Sequence, residues 1–401
     1  MNNVIQVQKT QPEKINTLKT VNIFGSTGSV GVNTISLIRE QRDLFQVEVL
    51  SANRNVDLLA SQAKELQVRK AVIADESCYQ DLREILAGSG IEVAAGAAAL
   101  VEAAAEPVDF TMSAIVGAAG LAPTLSAIQT GSVVALANKE SLVCAGDLML
   151  SNVISSGATL LPVDSEHNAI FQVLDLEQIE MVDRLILTAS GGPFLSLTHE
   201  EMRNVTREQA LAHPKWEMGA KISIDSATMM NKGLELIEAF YLFPVDKDSI
   251  DILVHPQSVI HSMVEYRDGS VLAQMASPDM RTPISYALGW PNRHEFKADR
   301  LDLGKIGSLT FFDPDPDQFP ALRLAKNALE AGKSAPTILN AVNEIAVESF
   351  LTNKIGFLDI AAVVEEALNK AEFVNCLEIE DIYEEDRKGR EIANKILHDK
   401  F

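Results

Sequence analysis

In the first part of the chain, short apolar runs rich in β-branched residues alternate with longer segments of helical periodicity. The helical segments include Val32–Arg39 and Val56–Leu66. The predicted strands are Val21–Phe24, Val47–Ser51, Ala71–Ile73, Phe110–Met112, Val133–Leu136 and Thr159–Val163. Alternation of this kind is typical of a parallel sheet that carries helices on both faces.

The pattern changes in the middle of the chain, where strands mix with loops rich in Gly, Pro, Ser and His. One helix is predicted to start near Asn231 and to run through Phe240. The strand candidates of this part are Arg184–Ala189, Ile252–Val254 and Ser270–Met275. This mixture predicts an α+β domain.

After the polar stretch Asp313–Phe319, helical periodicity dominates to the end of the chain. Gly332 and Gly356 are suitable helix ends. The predicted helices are Ala321–Ala331, Ala335–Leu351, Leu358–Ala371 and Glu384–Leu397. The whole pattern therefore predicts an α/β protein with an N-terminal Rossmann-like sheet domain, an α+β domain and a C-terminal helical domain.

The net charge of the chain excludes some classes of binding partner. The chain has 401 residues, enough for two or three domains, and a formal net charge of −22. Because such a surface repels nucleic acids and anionic membranes, neither is expected as a partner. An anionic substrate would need local cations or backbone donors.

The cysteine pattern and the chain's start indicate a cytoplasmic protein. The cysteines, Cys78, Cys144 and Cys376, are far apart and odd in number, which favours a reducing compartment over a disulfide framework. The first twenty residues are polar and lack an apolar core, so we expect a flexible extension rather than a signal peptide. No apolar run has the length of a bilayer span.

A glycine-rich turn follows the first predicted strand. The segment Gly25–Gly31 has the spacing G-x-x-G-x-x-G and leads into a helix, an arrangement that presents backbone N–H groups to a pyrophosphate. After the second strand, Ser51–Arg54 offers a guanidinium and no carboxylate. Since an NAD enzyme would place Asp or Glu there, Arg54 favours NADP, although a simple surface cation is the alternative.

Two separate segments of the chain carry candidate metal ligands. Asp164 and Glu166 follow an apolar strand, and continuation of that strand would direct both carboxylates to one face. For this pair alone, a solvated turn would be the better interpretation. Asn231, Glu235 and Glu238 share one face of the predicted helix. All these ligands are oxygens, which selects Mg²⁺ or Mn²⁺ over Zn²⁺.

Hydroxyls, glycines and one lysine form a candidate phosphate site. Ser190 and the glycines after it end a strand, and Ser226 precedes a helix that carries Lys232. Between them, Trp216 lies in the loop His213–Gly219, as a packing anchor or as part of a lid. Of the two histidines that flank the next segment, His261 is a better site candidate than His255.

Taken together, these residues resemble one family, the 1-deoxy-D-xylulose 5-phosphate reductoisomerases of the methylerythritol phosphate route to isoprenoids. The resemblance covers nearly the whole chain from near residue 21. The matching segments are Gly25–Gly31, Ala137–Ser141, Pro162–Asn168, Ala189–Phe194, His213–Gly219, Lys221–Glu238, His255–His261 and Met275–Pro283. Asn53 departs from the family pattern, which often has Gly before the basic residue.

The resemblance implies roles for individual residues. It implies Asp164, Glu166 and Glu235 as ligands of a divalent cation (Mn²⁺, Mg²⁺ or Co²⁺). The implied catalytic residues are these three with Lys139, His213 and Trp216, and Met218 joins Trp216 in the closing loop. The implied substrate contacts are Ser165, Glu166, Ser190, His213, Ser226, Asn231, Lys232 and Glu235. The implied NADPH contacts are Gly25, Ser26, Thr27, Gly28, Ser29, Val30, Arg54, Asn55, Asn138, Lys139, Glu140 and Gly219.

The resemblance also implies an activity and a domain plan. The expected enzyme rearranges the carbon skeleton of its phosphorylated sugar substrate and reduces the product with NADPH, giving 2-C-methyl-D-erythritol 4-phosphate, and it works as a homodimer. The expected parts are an extension (1–20), an NADPH-binding domain (21–164), a catalytic and dimerisation domain (165–295), a linker (296–316) and a helical domain (317–401).

Two other functions fit parts of the sequence. A metal-independent NADP-dependent sugar-phosphate dehydrogenase would use the same turn and phosphate site, and metal-independent turnover would favour it. A non-catalytic dinucleotide sensor would bind the cofactor without turnover and would leave Asp164, Glu166 and Glu235 unexplained.

Overall fold

The computed structural model describes residues 18–216 and 218–401, so most of the predicted N-terminal extension lies outside the described residues. The chain divides into two compact units. The first contains residues up to 141 together with 149–168 and 279–299, and the second contains 142–148, 169–278 and 300–401. The five-part division given above stays a prediction.

The strands form two sheets. They are β1 Lys19–Phe24, β2 Phe45–Ala52, β3 Lys70–Ile73, β4 Glu92–Ala95, β5 Phe110–Ser113, β6 Val133–Leu136, β7 Thr159–Pro162, β8 Val182–Ala189, β9 Ile250–Val254, β10 Ile260–Tyr266 and β11 Val271–Met275. The sheet of the first unit is parallel, with the order β4-β3-β2-β1-β5-β6-β7. The sheet of the second unit is mixed, with the order β11-β10-β8-β9.

The helices alternate with the strands of the first sheet and accumulate toward the C-terminus. They are α1 Ser29–Glu40, α2 Val56–Leu66, α3 Tyr79–Ile85, α4 Ala97–Ala104, α5 Leu121–Gln129, α6 Lys139–Ser156, α7 Ser165–Val173, α8 His199–Met202, α9 Arg207–Leu211, α10 Ala220–Thr228, α11 Met230–Leu242, α12 Arg281–Gly289, α13 Leu303–Ile306, α14 Pro320–Ala331, α15 Ala335–Leu351, α16 Phe357–Lys370 and α17 Ile379–Lys400. None of the helices in the described part of the chain is long and apolar enough to cross a membrane.

The central strand β1 lies between β2 and β5 and is buried on both faces, since Val21, Ile23 and Phe24 are almost fully covered. Burial on both faces explains why apolar residues do not alternate with exposed polar ones in β1, although the polar Asn22 is buried among them. Two asparagines start helices at the edge of this sheet: Asn55 caps α2 and Asn138 caps α6 through their side-chain oxygens. The carboxyl ends of the strands therefore carry ordered turns.

In the second unit, most residues of α15 are buried, and the helix packs against α16 and α17. Pro336 stands in its first turn, where the missing N–H group costs no hydrogen bond. The mixed sheet buries Ile186, Ile260 and Met263 in a shared cluster. This unit therefore combines a helical part and a small sheet, as an α+β sequence pattern predicts.

The predicted α/β architecture is confirmed, with two local corrections. The strand β4 was not predicted, because its sequence belongs to an Ala-rich run with weak strand preference. The continuation of β7 through Asp164 and Glu166 was wrong: β7 ends at Pro162, and Ser165 begins α7. The Asn168 N–H group donates to the Asp164 carbonyl at 2.8 Å, which is a helical rather than a strand contact.

Candidate active site

The glycine-rich turn lies at the carboxyl end of β1, as predicted. Gly25 has φ +89°, and a Cβ atom there would lie 2.5 Å from the Ala114 carbonyl oxygen. The turn is fixed from the side by β2, since the Gly25 N–H group donates to Ser51 Oγ at 3.0 Å and the Ser26 N–H group to the Ser51 carbonyl at 2.8 Å. The backbone at this position therefore suits the close approach of a pyrophosphate to the start of α1.

The loop after β2 presents the predicted guanidinium. The Arg54 side chain is 70% exposed, and its Nε atom lies 3.2 Å from Asp75 Oδ2. The Asp75 carboxylate is itself held by Ser77, whose hydrogen bonds to it are the first cause of a lowered pKa of Asp75. Sequence reasoning missed Asp75, because the contact joins the ends of two neighbouring strands. Arg54 is thus partly oriented and open to an anion.

The start of α6 carries the predicted cofactor contacts Asn138, Lys139 and Glu140. Asn138 Nδ2 donates to the Gly117 carbonyl at 2.9 Å and to Ser141 Oγ at 2.7 Å, so that it ties the turn after β6 to the turn after β5. Lys139, in the first turn of the helix, forms an ion pair with Asp164. Glu140 is buried beside them. These residues line the carboxyl edge of the parallel sheet, where open α/β sheets bind ligands.

Of the predicted metal ligands, Asp164 follows β7 and Glu166 lies in the first turn of α7. Burial would raise the pKa of Asp164, but the charges of Lys139 and His167 and a hydrogen bond with Glu166 hold it well below its usual range. Ser165 Oγ donates to Glu166 Oε2. Asp164 is therefore an anion at neutral pH, at the edge where the sheet presents its ligands.

In the second unit, Ser190 and His213 form a hydrogen-bonded pair with a defined direction. His213 Nδ1 accepts from the N–H groups of Lys215 and Trp216 at 3.2 and 2.9 Å, so the ring proton is on Nε2. His213 Nε2 then donates to Ser190 Oγ at 2.9 Å, and the Gly192 N–H group donates to the same oxygen at 3.2 Å. With its oxygen accepting twice, the Ser190 hydroxyl has its proton available for an anion.

The loop after α9 contains the predicted lid residues Trp216 and Met218, and its Glu217 lies outside the described residues. Trp216 is half-buried, and its ring lies 6.1 Å from that of His261 at the start of β10. Met218 is half-buried, and Gly219 starts α10 as its N-cap residue. His255, by contrast, bonds the Thr310 carbonyl at 3.0 Å and stacks on Phe311, which indicates a structural role.

The helix α11 carries the predicted acidic and basic residues on one buried face. Asn231 Nδ2 donates to Glu235 Oε1, and Lys232 forms an ion pair with Glu235 Oε2. Lys232, Glu235 and Glu238 are all buried. Buried ionic groups of this kind are expensive to keep without a function or a partner, so this face is a strong candidate for ligand binding.

The sheet, the glycine-rich turn and the carboxylates define the class of the protein, a dinucleotide-dependent α/β enzyme with oxygen ligands for a hard cation. Comparison with known proteins gives the family. The profile described as 1-deoxy-D-xylulose 5-phosphate reductoisomerase matches residues 21–146, and two profiles described as its C-terminal domain match residues 160–243 and 275–392. The chain belongs to the 1-deoxy-D-xylulose 5-phosphate reductoisomerase family.

Individual relatives are similar over almost their whole length. The reductoisomerase of Rhodospirillum centenum is 56% identical over 380 residues, which cover 95% of this chain and 94% of the relative. That of Zymomonas mobilis is 56% identical over 372 residues, covering 93% of this chain and 96% of the relative. The predicted family and enzyme class are confirmed.

Solved structures show the same fold. The Zymomonas mobilis reductoisomerase in complex with NADPH superimposes with a TM-score of 0.92 at 54% identity and covers 95% of this chain and 99% of its own. A reductoisomerase in complex with NADPH, fosmidomycin and magnesium superimposes with a TM-score of 0.90 at 42% identity, covering 95% of this chain and 98% of its own. Related enzymes thus bind the two cofactors predicted from the sequence.

Proposed function

We propose that this chain converts 1-deoxy-D-xylulose 5-phosphate to 2-C-methyl-D-erythritol 4-phosphate with NADPH and a divalent cation, in the supply of isoprenoid precursors. The observation that carries the proposal is the whole-length match to a reductoisomerase whose solved structure contains NADPH. The glycine-rich turn, the exposed guanidinium and the buried acidic helix each supply a part that this reaction needs.

NADPH is proposed to bind along the carboxyl edge of the parallel sheet. Its pyrophosphate would lie on the turn from Gly25 through Gly28 and at the start of α1, formed by Ser29 and Val30. Arg54, with Asn55 beside it, would bind the 2′-phosphate, since its guanidinium is exposed and no carboxylate ends β2. Further contacts are proposed for Ser26, Thr27, Asn138, Lys139, Glu140 and Gly219.

The donor set fits a hard cation. Asp164 and Glu166 of the first unit and Glu235 of the second offer carboxylate oxygens only, and Mg²⁺ and Mn²⁺ prefer such ligands. We propose these three as the ligands. A bound cation supplies Lewis acidity to adjacent oxygens of the substrate. Lys139, paired with Asp164, is proposed to lie beside the reacting carbons and to balance charge there.

The substrate phosphate is proposed to bind in the second unit. Hydrogen-bond donors and a lysine are grouped there, and they can bind an anion in spite of the negative net charge of the chain. Ser190 offers a hydroxyl proton, because its oxygen already accepts from His213 and Gly192. Ser226, Asn231 and Lys232 add donors at the junction of α10 and α11. Anchoring this end holds the reacting carbons in place, with Ser165 at the other end and Trp216 excluding water.

A homodimer is proposed from the edge of the mixed sheet. The edge strand β11 exposes Val271 and Leu272, about half of each side chain. An open apolar edge strand is a ready site for a second copy of the chain. Light scattering should give twice the chain mass, and Leu272→Lys should shift the protein toward the monomer. A monomeric wild-type protein would overturn this part. Cys78, Cys144 and Cys376 form no disulfide with one another, which supports a cytoplasmic location.

The test is NADPH oxidation followed at its absorbance band with 1-deoxy-D-xylulose 5-phosphate, with and without Mn²⁺. The proposal predicts turnover that disappears with a chelator and returns with Mn²⁺ or Mg²⁺. Turnover that is unaffected by the chelator would favour the metal-independent dehydrogenase. Cofactor binding without turnover under any of these conditions would favour the dinucleotide sensor.

A further inference from the structure

One buried carboxylate next to the phosphate-binding residues has no role in the function proposed above. Asp225 lies on α10, immediately before Ser226, and only 2% of its side chain is exposed. Removing a carboxylate from water is costly unless hydrogen bonds and a cation compensate for the lost solvation. The partners of Asp225 therefore have to be strong and well placed.

Asp225 has one partner from its own helix and one from a distant helix. Lys221, one turn earlier on α10, places Nζ 2.9 Å from Asp225 Oδ2. Asn343, on α15, donates from Nδ2 to Asp225 Oδ1 at 2.8 Å. Both carboxylate oxygens are thus engaged, and the Asn343 bond ties α10 to α15, a largely buried helix of the second unit.

Asn343 is itself fully buried, and its side-chain oxygen Oδ1 has no hydrogen-bond partner among the described residues. An unsatisfied buried acceptor destabilises a fold, and a leucine of similar size would avoid that cost. The benefit that offsets the cost is the bond to Asp225. The hydrogen bond from Asn343 to Asp225 on α10, rather than packing, therefore explains why an asparagine stands at this position.

The position of α10 in turn sets the surrounding phosphate donors. A Cβ atom on Gly192, which has φ +67°, would lie 2.7 Å from the Ser226 carbonyl oxygen, so the turn after Ser190 rests directly on the α10 backbone. At its other end, α10 continues through Met229 into α11, which carries Asn231 and Lys232. A rotation or shift of α10 would displace donors on both sides of it.

We propose that Asn343 and Asp225 form a positioning pair that holds Ser226 and the neighbouring donors in register for the substrate phosphate. The inference rests on the proposed function, since it assumes that this junction binds the phosphate. Neither residue touches the substrate; both act through α10. Their removal should therefore weaken substrate binding through its phosphate much more than NADPH binding, because the glycine-rich turn and Arg54 belong to the first unit and only Gly219, at the start of α10, belongs to the second.

The experiment is an exchange of the two side chains. Asn343→Leu, Asn343→Asp, Asp225→Asn and the double variant Asp225→Asn with Asn343→Asp are compared with wild type. The measurements are KM for 1-deoxy-D-xylulose 5-phosphate, KM for NADPH, and the calorimetric affinity for inorganic phosphate. Asn343→Asp should bind phosphate most weakly of these variants, because it places two carboxylates next to each other. The double variant restores an amide–carboxylate hydrogen bond with the direction reversed.

We expect Asn343→Leu to raise the substrate KM and to weaken phosphate binding about tenfold, the usual effect of losing a hydrogen bond to a charged group. KM for NADPH should change less than about twofold, and the double variant should recover most of the lost phosphate affinity relative to Asn343→Asp. Ser226→Ala gives the effect of losing a direct contact for comparison.

Unchanged phosphate affinity in Asn343→Leu, or a double variant no better than Asn343→Asp, would overturn the positioning pair. If Asn343→Leu does not fold, as judged by thermal melting, the exchange of the two side chains decides alone. Failure of the proposed function is a separate result: wild type would then give no turnover of 1-deoxy-D-xylulose 5-phosphate with NADPH, whatever the variants do with phosphate.

Discussion

At the scale of single residues, the site depends on hydrogen-bond direction as much as on residue type. His213 Nδ1 accepts two backbone N–H groups of its own loop, and this leaves Nε2 as the donor to Ser190. The same histidine thus orders the loop that carries Trp216 and sets which way the Ser190 hydroxyl points. Protonation of Nδ1 would remove the two contacts that order the loop, because a protonated nitrogen cannot accept, whereas Nε2 would still donate to Ser190.

Burial lowers the pKa of His213, which gives a pH prediction. Because the folded-state pKa of His213 is below its ordinary value, the ring is neutral at neutral pH. The contribution of the neutral ring is lost as pH falls through the folded-state pKa. We expect the substrate KM to rise steeply on this acid side, with ring protonation seen by NMR at the same pH. His199→Gln, on exposed α8, is the control variant. A substrate KM that stays flat while His213 protonates would contradict this role.

Arg54 should govern the choice between NADPH and NADH. Replacing it with Asp exchanges a phosphate partner for a repelling charge, so the NADPH affinity should fall by roughly tenfold or more, with little change for NADH. Arg54→Gln separates loss of charge from repulsion, and Arg42→Gln, before β2 and so at the opposite end of that strand, is the control. The comparison is made by fluorescence titration with each cofactor. Equal losses for both cofactors would remove Arg54 from the 2′-phosphate site.

At the scale of elements, several helices and strands followed from the sequence, whereas the bounds of the strand β10, the turns and the distant contacts did not. The predicted bounds of α2, β6 and α15 agree with the structure because apolar periodicity and end signals coincide there. The Asp164 to Glu166 segment was assigned to a strand, but a helix starts there and redirects Glu166. The Asp225–Asn343 contact joins residues 118 positions apart, and no local pattern indicates it.

The acidic face of α11 gives a prediction for metal binding. Glu235→Gln keeps the shape of the side chain and removes one anion, so Mn²⁺ affinity should fall by roughly tenfold or more and turnover should fall with it. Glu385 on α17 is a matched control, since it is also buried and pairs with a lysine three residues away. Glu385→Gln should leave Mn²⁺ calorimetry unchanged. An unaltered Mn²⁺ titration in Glu235→Gln would exclude Glu235 as a ligand.

The loop between α9 and α10 gives a prediction that separates binding from folding. Trp216 is half-buried beside His261, so Trp216→Ala should change the free energy of unfolding by less than about 1 kcal/mol, while turnover falls markedly. In a Trp290→Phe background, Trp216 fluorescence should change when substrate binds. A steep loss of melting temperature, with fluorescence that ignores substrate, would make Trp216 a core residue instead of a lid residue.

At the scale of the whole molecule, the net charge of −22 contrasts with an anionic substrate and an anionic cofactor. We propose that local donors resolve the contrast, namely backbone N–H groups at the glycine-rich turn, the Arg54 guanidinium, and the hydroxyls and lysine around α10 and α11. The fold class could be predicted because sheet and helix patterns are local. The arrangement of donors could be predicted only where a motif or the family resemblance supplied it.

The central claim is that one enzyme both rearranges and reduces its substrate. The most direct measurement is product analysis after incubating ¹³C-labelled 1-deoxy-D-xylulose 5-phosphate with Mn²⁺ and NADPH deuterated at the transferred position. The claim predicts a branched product with deuterium on a primary alcohol carbon, seen by NMR as a new ¹³C–¹³C connectivity and a deuterium coupling. An unbranched, deuterated sugar alcohol phosphate would show reduction without rearrangement and would contradict the claim.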